Sequence, residues 1–145
     1  EGIDGTSPGR RVQRIVDSVA WQKGPFGGQA LIGYQKARNE ATNVAAKDFS
    51  LGGRVSYAFN QNFKLLAEAA TTSRKVDGLP SQRLNKFTIA PTLSVGPAFF
   101  DRPELRFYVT KANWNAAAAA ANAGTFGQGG KTSRTLVGLQ YEIWW

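Results

Sequence analysis

In the stretch Val137-Gly-Leu-Gln-Tyr-Glu-Ile-Trp-Trp145, every second residue is apolar: Val137, Leu139, Tyr141, Ile143 and Trp145. Gly138, Gln140 and Glu142 lie between them, so one face is greasy and the other largely polar. A period of two is a β-strand. The stretch also ends on two tryptophans with no polar tail, and that ending restricts the fold more than any other feature. A soluble domain seldom finishes this way. A strand in the wall of a membrane barrel does, because it needs apolar groups toward lipid and an aromatic at the headgroup level.

Six further segments repeat the pattern. Segment 49–59 sets Phe49, Leu51, Gly53, Val55, Tyr57 and Phe59 against Ser50, Arg54 and Ser56. Segment 62–74 sets Phe63, Leu65, Ala67 and Ala69 against Lys64, Glu68 and Thr72. Segment 86–95 has Phe87, Ile89, Pro91, Leu93 and Val95 on one side, with Lys86, Thr88, Thr92 and Ser94 on the other. Segment 104–114 opposes Leu105, Phe107 and Val109 to Glu104, Arg106, Tyr108 and Thr110. Segment 26–36 has Ala30, Ile32 and Tyr34 against Gln29 and Gln35, with Leu31 breaking the pattern. Segment 10–21 reads as a strand whose two faces do not separate. Pro91 removes a ladder donor in mid-strand and counts against this segment as a central strand, although a bulge or a shifted register would accommodate it.

Strands of about 10–13 residues exceed the usual five or six of a sandwich and suit tilted spans of a transmembrane barrel. The connections alternate in length: 23–25, 60–62 and 96–103 are short, whereas 39–47, 75–82 and 115–133 are longer. That is the asymmetry of periplasmic turns against extracellular loops. The run Ala116 to Ala121 favours helix but is too short to nucleate alone; a helical turn or a loose tip of the longest outer loop is expected.

Hydrophobic residues make up 42% of the 145. No run approaches the roughly 20 apolar residues of a membrane helix, while a barrel needs only alternate positions apolar. The absence of both cysteine and histidine removes disulfides and the usual soft metal ligands, so no metal and no cofactor is expected. The chain also lacks methionine, as expected of a processed chain or a fragment. The net charge of +8 is spread over eighteen Lys and Arg with few adjacent pairs. A basic interior and a basic rim facing lipopolysaccharide phosphates account for it as well as nucleic acid would, and no nucleic-acid partner is expected. Seven antiparallel strands cannot close without a parallel seam, and an open edge in hydrocarbon leaves backbone groups unpaired. Residues 1–145 are therefore expected to be the C-terminal part of one larger barrel domain, with an eight-stranded barrel as the fallback.

The stretch Asp101-Arg-Pro-Glu-Leu-Arg-Phe-Tyr-Val-Thr-Lys-Ala-Asn-Trp114 and the terminal Glu142-Ile-Trp-Trp145 resemble the maltoporin family of sugar-selective outer-membrane porins. Lys86-Phe-Thr-Ile-Ala-Pro-Thr-Leu93 and the strand pair 49–74 also fit its C-terminal part. The resemblance implies an all-β fold: an antiparallel transmembrane β-barrel fragment, about seven long strands of an eighteen-stranded porin barrel wide enough for an aqueous channel. It further implies a homotrimer in the bacterial outer membrane that passes maltose and maltodextrins by facilitated diffusion. A row of lumen aromatics, the greasy slide, stacks on sugar rings while polar groups bond the hydroxyls. Weak repeated contacts allow entry without trapping.

Two slide positions carry over from that family. Phe100, just before Asp101-Arg-Pro103, stands where the family commonly has tryptophan; it can stack, over less area and without an indole N–H. Trp144 matches the final slide tryptophan and has the interior parity of its strand. The bland alternatives are a turn cap for Phe100 and an interfacial anchor for Trp144. Arg106 and Tyr108 face the interior by parity and could touch sugar. The favoured alternative is a charge ladder of Arg106 with Glu104, Glu68, Lys64 and Lys86 that stiffens the wall. Trp114 is expected in the outer aromatic girdle. Glu68 and Glu142 carry no sign of a glycosidase pair, and no enzyme activity is expected. Three other readings stand beside this one: a sucrose or β-glucoside porin of the same superfamily, a soluble basic β-domain binding polyanions, and a small non-conducting barrel.

Overall fold

The computed structural model describes residues 9–143. Seven strands form one sheet in chain order: β1 (Arg10–Lys23), β2 (Phe26–Asn39), β3 (Ala45–Ala58), β4 (Phe63–Val76), β5 (Gln82–Ser94), β6 (Glu104–Trp114) and β7 (Ser133–Glu142). Every neighbouring pair is antiparallel. A six-residue helix, α1 (Ala116–Ala121), interrupts the last connection. Among the described residues β1 pairs only with β2 and β7 only with β6, so the sheet is open. The all-β antiparallel architecture expected from the alternation is present, with strands that begin earlier or run further than the pattern alone suggested.

Register fixes the two faces. Arg54 lies opposite Gln29 on β2 and Glu68 on β4, Thr88 opposite Thr110, and Arg106 opposite Gln140. These residues share one face. Their chain neighbours Val55, Ala67, Ile89 and Leu105 share the other. Pairing also resolves segment 10–21. Arg14 lies opposite Gln35 and Gln22 opposite Gly27, on the polar face, while Ile15 and Trp21 point the other way.

Exposure is inverted relative to a soluble protein. Lys64 and Glu104 are each 1% exposed, whereas Leu139 is 70% and Ile15 72% exposed. More than a dozen large apolar side chains crowd the outward face. Removing each from water is worth about 1.5–3 kcal/mol, so a sheet with this face uncovered in water is poorly stable. Lipid would cover it at no cost to the backbone, since each central strand is hydrogen-bonded on both edges.

Two expectations fail here. Pro91 needs neither a bulge nor a register shift: Leu65 still lies opposite it on β4, and Ile89↔Val109 and Thr92↔Arg106 keep the same offset across it on β6. The missing N–H interrupts the β5–β6 ladder locally and displaces nothing. Connection lengths are also less regular than the sequence suggested. Residues 24–25, 59–62 and 95–103 join strands at one end, and 40–44, 77–81 and 115–132 at the other. Strand extension shortens two of the long loops, and 95–103 is no tight turn.

Candidate functional site

The polar face holds three layers, ordered from the 95–103 end to the α1 end. The first is a sealed ion cluster. Glu104 is its hub: its carboxylate lies 3.0 Å from Lys64 Nζ, 3.0 Å from Arg102 Nη1, and against Arg106 Nη2. Glu142 on β7 faces the same arginines, 2.7 Å from Arg106 Nη2 and 3.4 Å from Arg102 Nη2. The Glu104 oxygens sit at ion-pair distance but off hydrogen-bond directions, so charge rather than aim holds the hub. Three cations and two carboxylates leave one positive charge. Burial makes such pairs sensitive to the loss of any member.

Segment 95–103 folds back over this cluster. Lys64 Nζ donates to the Ala98 carbonyl at 2.9 Å, Arg102 Nη1 to the Phe99 carbonyl at 3.0 Å, and the Ala98 N–H to Asp101 Oδ2 at 2.7 Å. The Phe99 N–H reaches Gln22 Oε1 on β1 at 2.8 Å. Phe99 is 2% exposed. It packs where Gly27 leaves room: a Cβ there would stand 2.7 Å from the Phe99 Cβ. The segment thus bridges β6 to β1 as a ledge along the polar face. Phe100 rides on it, 49% exposed, its ring edge-on to Phe99 at 4.8 Å between centroids.

The second layer is a recess of about 320 Å³ whose walls come from β3 to β7. Arg54, Glu68, Lys86, Arg106, Tyr108 and Gln140 supply its polar groups, with Leu66, Ala90 and Leu136 between them. Side chains of five consecutive strands meeting in one recess mean that the sheet curls around this face. Arg54 donates through Nε and Nη2 to Glu68 Oε2, at 3.0 and 2.7 Å. Thr88 and Thr110 hydroxyls share a hydrogen bond of 2.7 Å. Donors and acceptors alternate along the wall over patches of hydrocarbon, a surface that a polyhydroxylated solute can contact repeatedly and leave.

The third layer is the fold-back of 115–132. Asn115 caps α1, its Oδ1 accepting the Ala118 N–H at 3.0 Å. Trp114 donates its indole N–H to the Lys131 carbonyl at 2.6 Å and meets Phe126 edge-on at 4.9 Å. With Ala112, Ala118 and Ala119 it forms a small apolar cluster. Trp114 is therefore not in an outer girdle. Its parity matches Glu104 and Arg106, and it anchors the loop on the polar side.

Of the residues singled out from sequence, Glu68, Lys86, Arg106 and Tyr108 meet in the recess. Glu104 lies beneath it, sealed in the cluster. The ladder expected from sequence is split: Lys64 and Arg106 pair with Glu104, whereas Glu68 pairs with Arg54 and Lys86 remains exposed at the recess edge. Phe100 stands on the ledge, outside the recess lining. Trp144 lies outside the described residues. Sequence reasoning did not single out Arg54, Gln140, Arg102 or Glu142 as site residues. Arg54 could have been found by aligning β3 and β4 through their short turn, which sets it opposite Glu68.

The family model described as LamB porin matches residues 1–145, the whole chain. This chain belongs to the LamB porin family. Maltoporin of Hahella chejuensis is 33% identical over 112 residues, covering 77% of this chain and 26% of that protein. Maltoporin 2 of Yersinia pestis is 32% identical over 113 residues, 74% of this chain and 26% of that protein. Maltoporin of Photobacterium profundum is 31% identical over 97 residues, 67% of this chain and 22% of that protein. The chain spans about a quarter of the length of the curated relatives it matches. LamB porin family membership agrees with the oily outer wall and wet inner wall, and porins are channels rather than enzymes.

Proposed function

We propose that residues 1–145 form the C-terminal part of one barrel domain of a bacterial outer-membrane channel that passes maltose and maltodextrins by facilitated diffusion, assembled as a homotrimer. The observation that carries this reading is the recess of Arg54, Glu68, Lys86, Arg106, Tyr108 and Gln140 on the inner wall of a sheet whose outer wall is apolar. A sugar offers a ring of hydroxyls to such groups and a flat C–H face to aromatics. Phe100 on the ledge, and Trp144, are the aromatics proposed to stack on it. The ion cluster acts beneath them as a rigid floor, so solutes meet a fixed wall.

Liposome swelling with the full-length protein tests the proposal. Maltotriose is expected to enter faster than an unrelated solute of equal size, and Phe100→Ala to reduce that preference. Equal rates for the two solutes would remove the sugar claim, and absence of swelling would remove the channel.

A further inference from the structure

The outer wall carries a row of like charges that the channel reading leaves unused. Lys36 lies directly opposite Lys47, and Lys47 directly opposite Lys75, on three adjacent strands. One step nearer the loops, Arg11 lies directly opposite Arg38. All five have the outward parity of Tyr34, Phe49 and Ile15. Directly opposite residues have Cβ atoms about 4.5–5.5 Å apart, and like charges there are destabilising. Among the described residues, none of the five ends in an ion pair. Arg38 instead donates to Asn43 Oδ1 at 2.9 Å, and Lys75 Nζ to the Leu79 carbonyl at 2.6 Å. The nearby carboxylates are Glu40 and Asp77; Asp77 Oδ2 is occupied by the Ala45 N–H at 3.0 Å.

A repulsive row set in register across three strands is stabilised by an anion that bridges it. Arg11, Lys36 and Arg38, with Gln13, Glu40 and Asn43, also line a recess of about 320 Å³ on this wall. Two residues toward the middle of the strands, Ile15, Tyr34 and Phe49 lie side by side in register. That places an apolar stripe about 7 Å below the cations. A ligand matching both levels has phosphate above and hydrocarbon below. The row lies at the 40–44 and 77–81 end, the same end as the longest loop, which is the extracellular side of such barrels.

We infer that Lys36, Lys47, Lys75, Arg11 and Arg38 form a binding site on the outer wall for the phosphorylated headgroup of an outer-leaflet glycolipid, whose acyl chains lie on Ile15, Tyr34 and Phe49. The inference rests on the membrane-barrel reading above. Free phosphate would satisfy the cations but leave the stripe bare.

The test uses the full-length protein in detergent, titrated with lipid A and, separately, with phosphatidylcholine. Lys47→Gln/Lys75→Gln is compared with Arg10→Gln/Arg14→Gln, which removes the same charge from the inner wall. The outer pair is expected to weaken lipid A binding roughly thirtyfold, about fivefold for each lysine, and the inner pair to leave it unchanged. Lys47→Arg/Lys75→Arg should retain binding, separating lost charge from misfolding. Equal losses from the two glutamine pairs, or equal affinity for both lipids, would overturn the site. Full competition by inorganic phosphate at equal concentration would overturn the lipid assignment. Swelling activity of the same protein preparations after reconstitution into liposomes keeps the readings apart, since a protein that swells liposomes but shows no lipid A preference refutes this site alone.

Discussion

Glu104→Gln is the substitution to which the inner wall is expected to be most sensitive. The change keeps the side chain's volume and removes one charge. It leaves Lys64, Arg102 and Arg106 around a single carboxylate, Glu142, in a cluster where the Glu104 side chain is 0% and the Lys64 side chain 1% exposed. Taking one partner from a buried ion pair costs about 3–5 kcal/mol, because the remaining charge is stranded in a poor solvent. The exposed pair Arg74–Asp48 is an internal comparison: at 3.7 Å and with side chains 55% and 32% exposed, it is screened by water. Asp48→Asn should therefore cost under about 1 kcal/mol. Denaturant unfolding of the full-length barrel in micelles would measure both. Adding Lys64→Met to Glu104→Gln should recover part of the loss, a non-additivity of about 0.5–3 kcal/mol. If Glu104→Gln costs no more than Asp48→Asn, the cluster is not sealed and the rigid-floor account is wrong.

Two further predictions concern the folded-in connections. Gly27→Ala brings a Cβ onto Phe99 and Gln22; the Phe99 amide should then exchange hydrogen about fivefold faster, as expected for loss of one hydrogen bond of about 1 kcal/mol. Unchanged exchange would mean the ledge does not rest on β2. Trp114→Ala removes the anchor of 115–132 and should open that loop to protease on intact cells, at sites where the parent resists; equal resistance would contradict the anchoring role.

The fold was legible in sequence wherever the two faces differ in chemistry. On β6, Leu105, Phe107 and Val109 alternate with Glu104, Arg106 and Tyr108, and pairing confirms each assignment. On β1, Val12 and Val16 share the polar-side parity while Ile15 and Val19 face out, so both faces carry valine or isoleucine. Only the register with β2 separates them. Trp114 reads wrongly as a girdle residue in sequence because an aromatic at a strand end suits either an interfacial girdle or a loop anchor. The deciding partners, Phe126 and Lys131, come from a loop whose fold-back has no local signal. Parity puts Glu68, Lys86, Arg106 and Tyr108 on the polar face, and these are four of the six polar groups named in the recess; Arg54 and Gln140 share that parity, but only register brings them beside the other four. The Lys64–Glu104–Arg106 part of the ion cluster follows from the expected charge ladder, whereas Arg102 and Glu142 do not, because Arg102 lies in a connection and Glu142 reaches the cluster only through the β6–β7 register.

The central claim is that one wall of this sheet faces oil and the other water, and thiol accessibility tests it directly because this chain has no native cysteine. Leu139→Cys, Gln140→Cys and Tyr141→Cys would each be placed singly in full-length protein free of other thiols and reconstituted in bilayers. A membrane-impermeant, water-soluble maleimide should label position 140 readily and leave 139 and 141 protected. Labelling of 139 and 141 as fast as 140, or protection of 140 alone, would contradict the account.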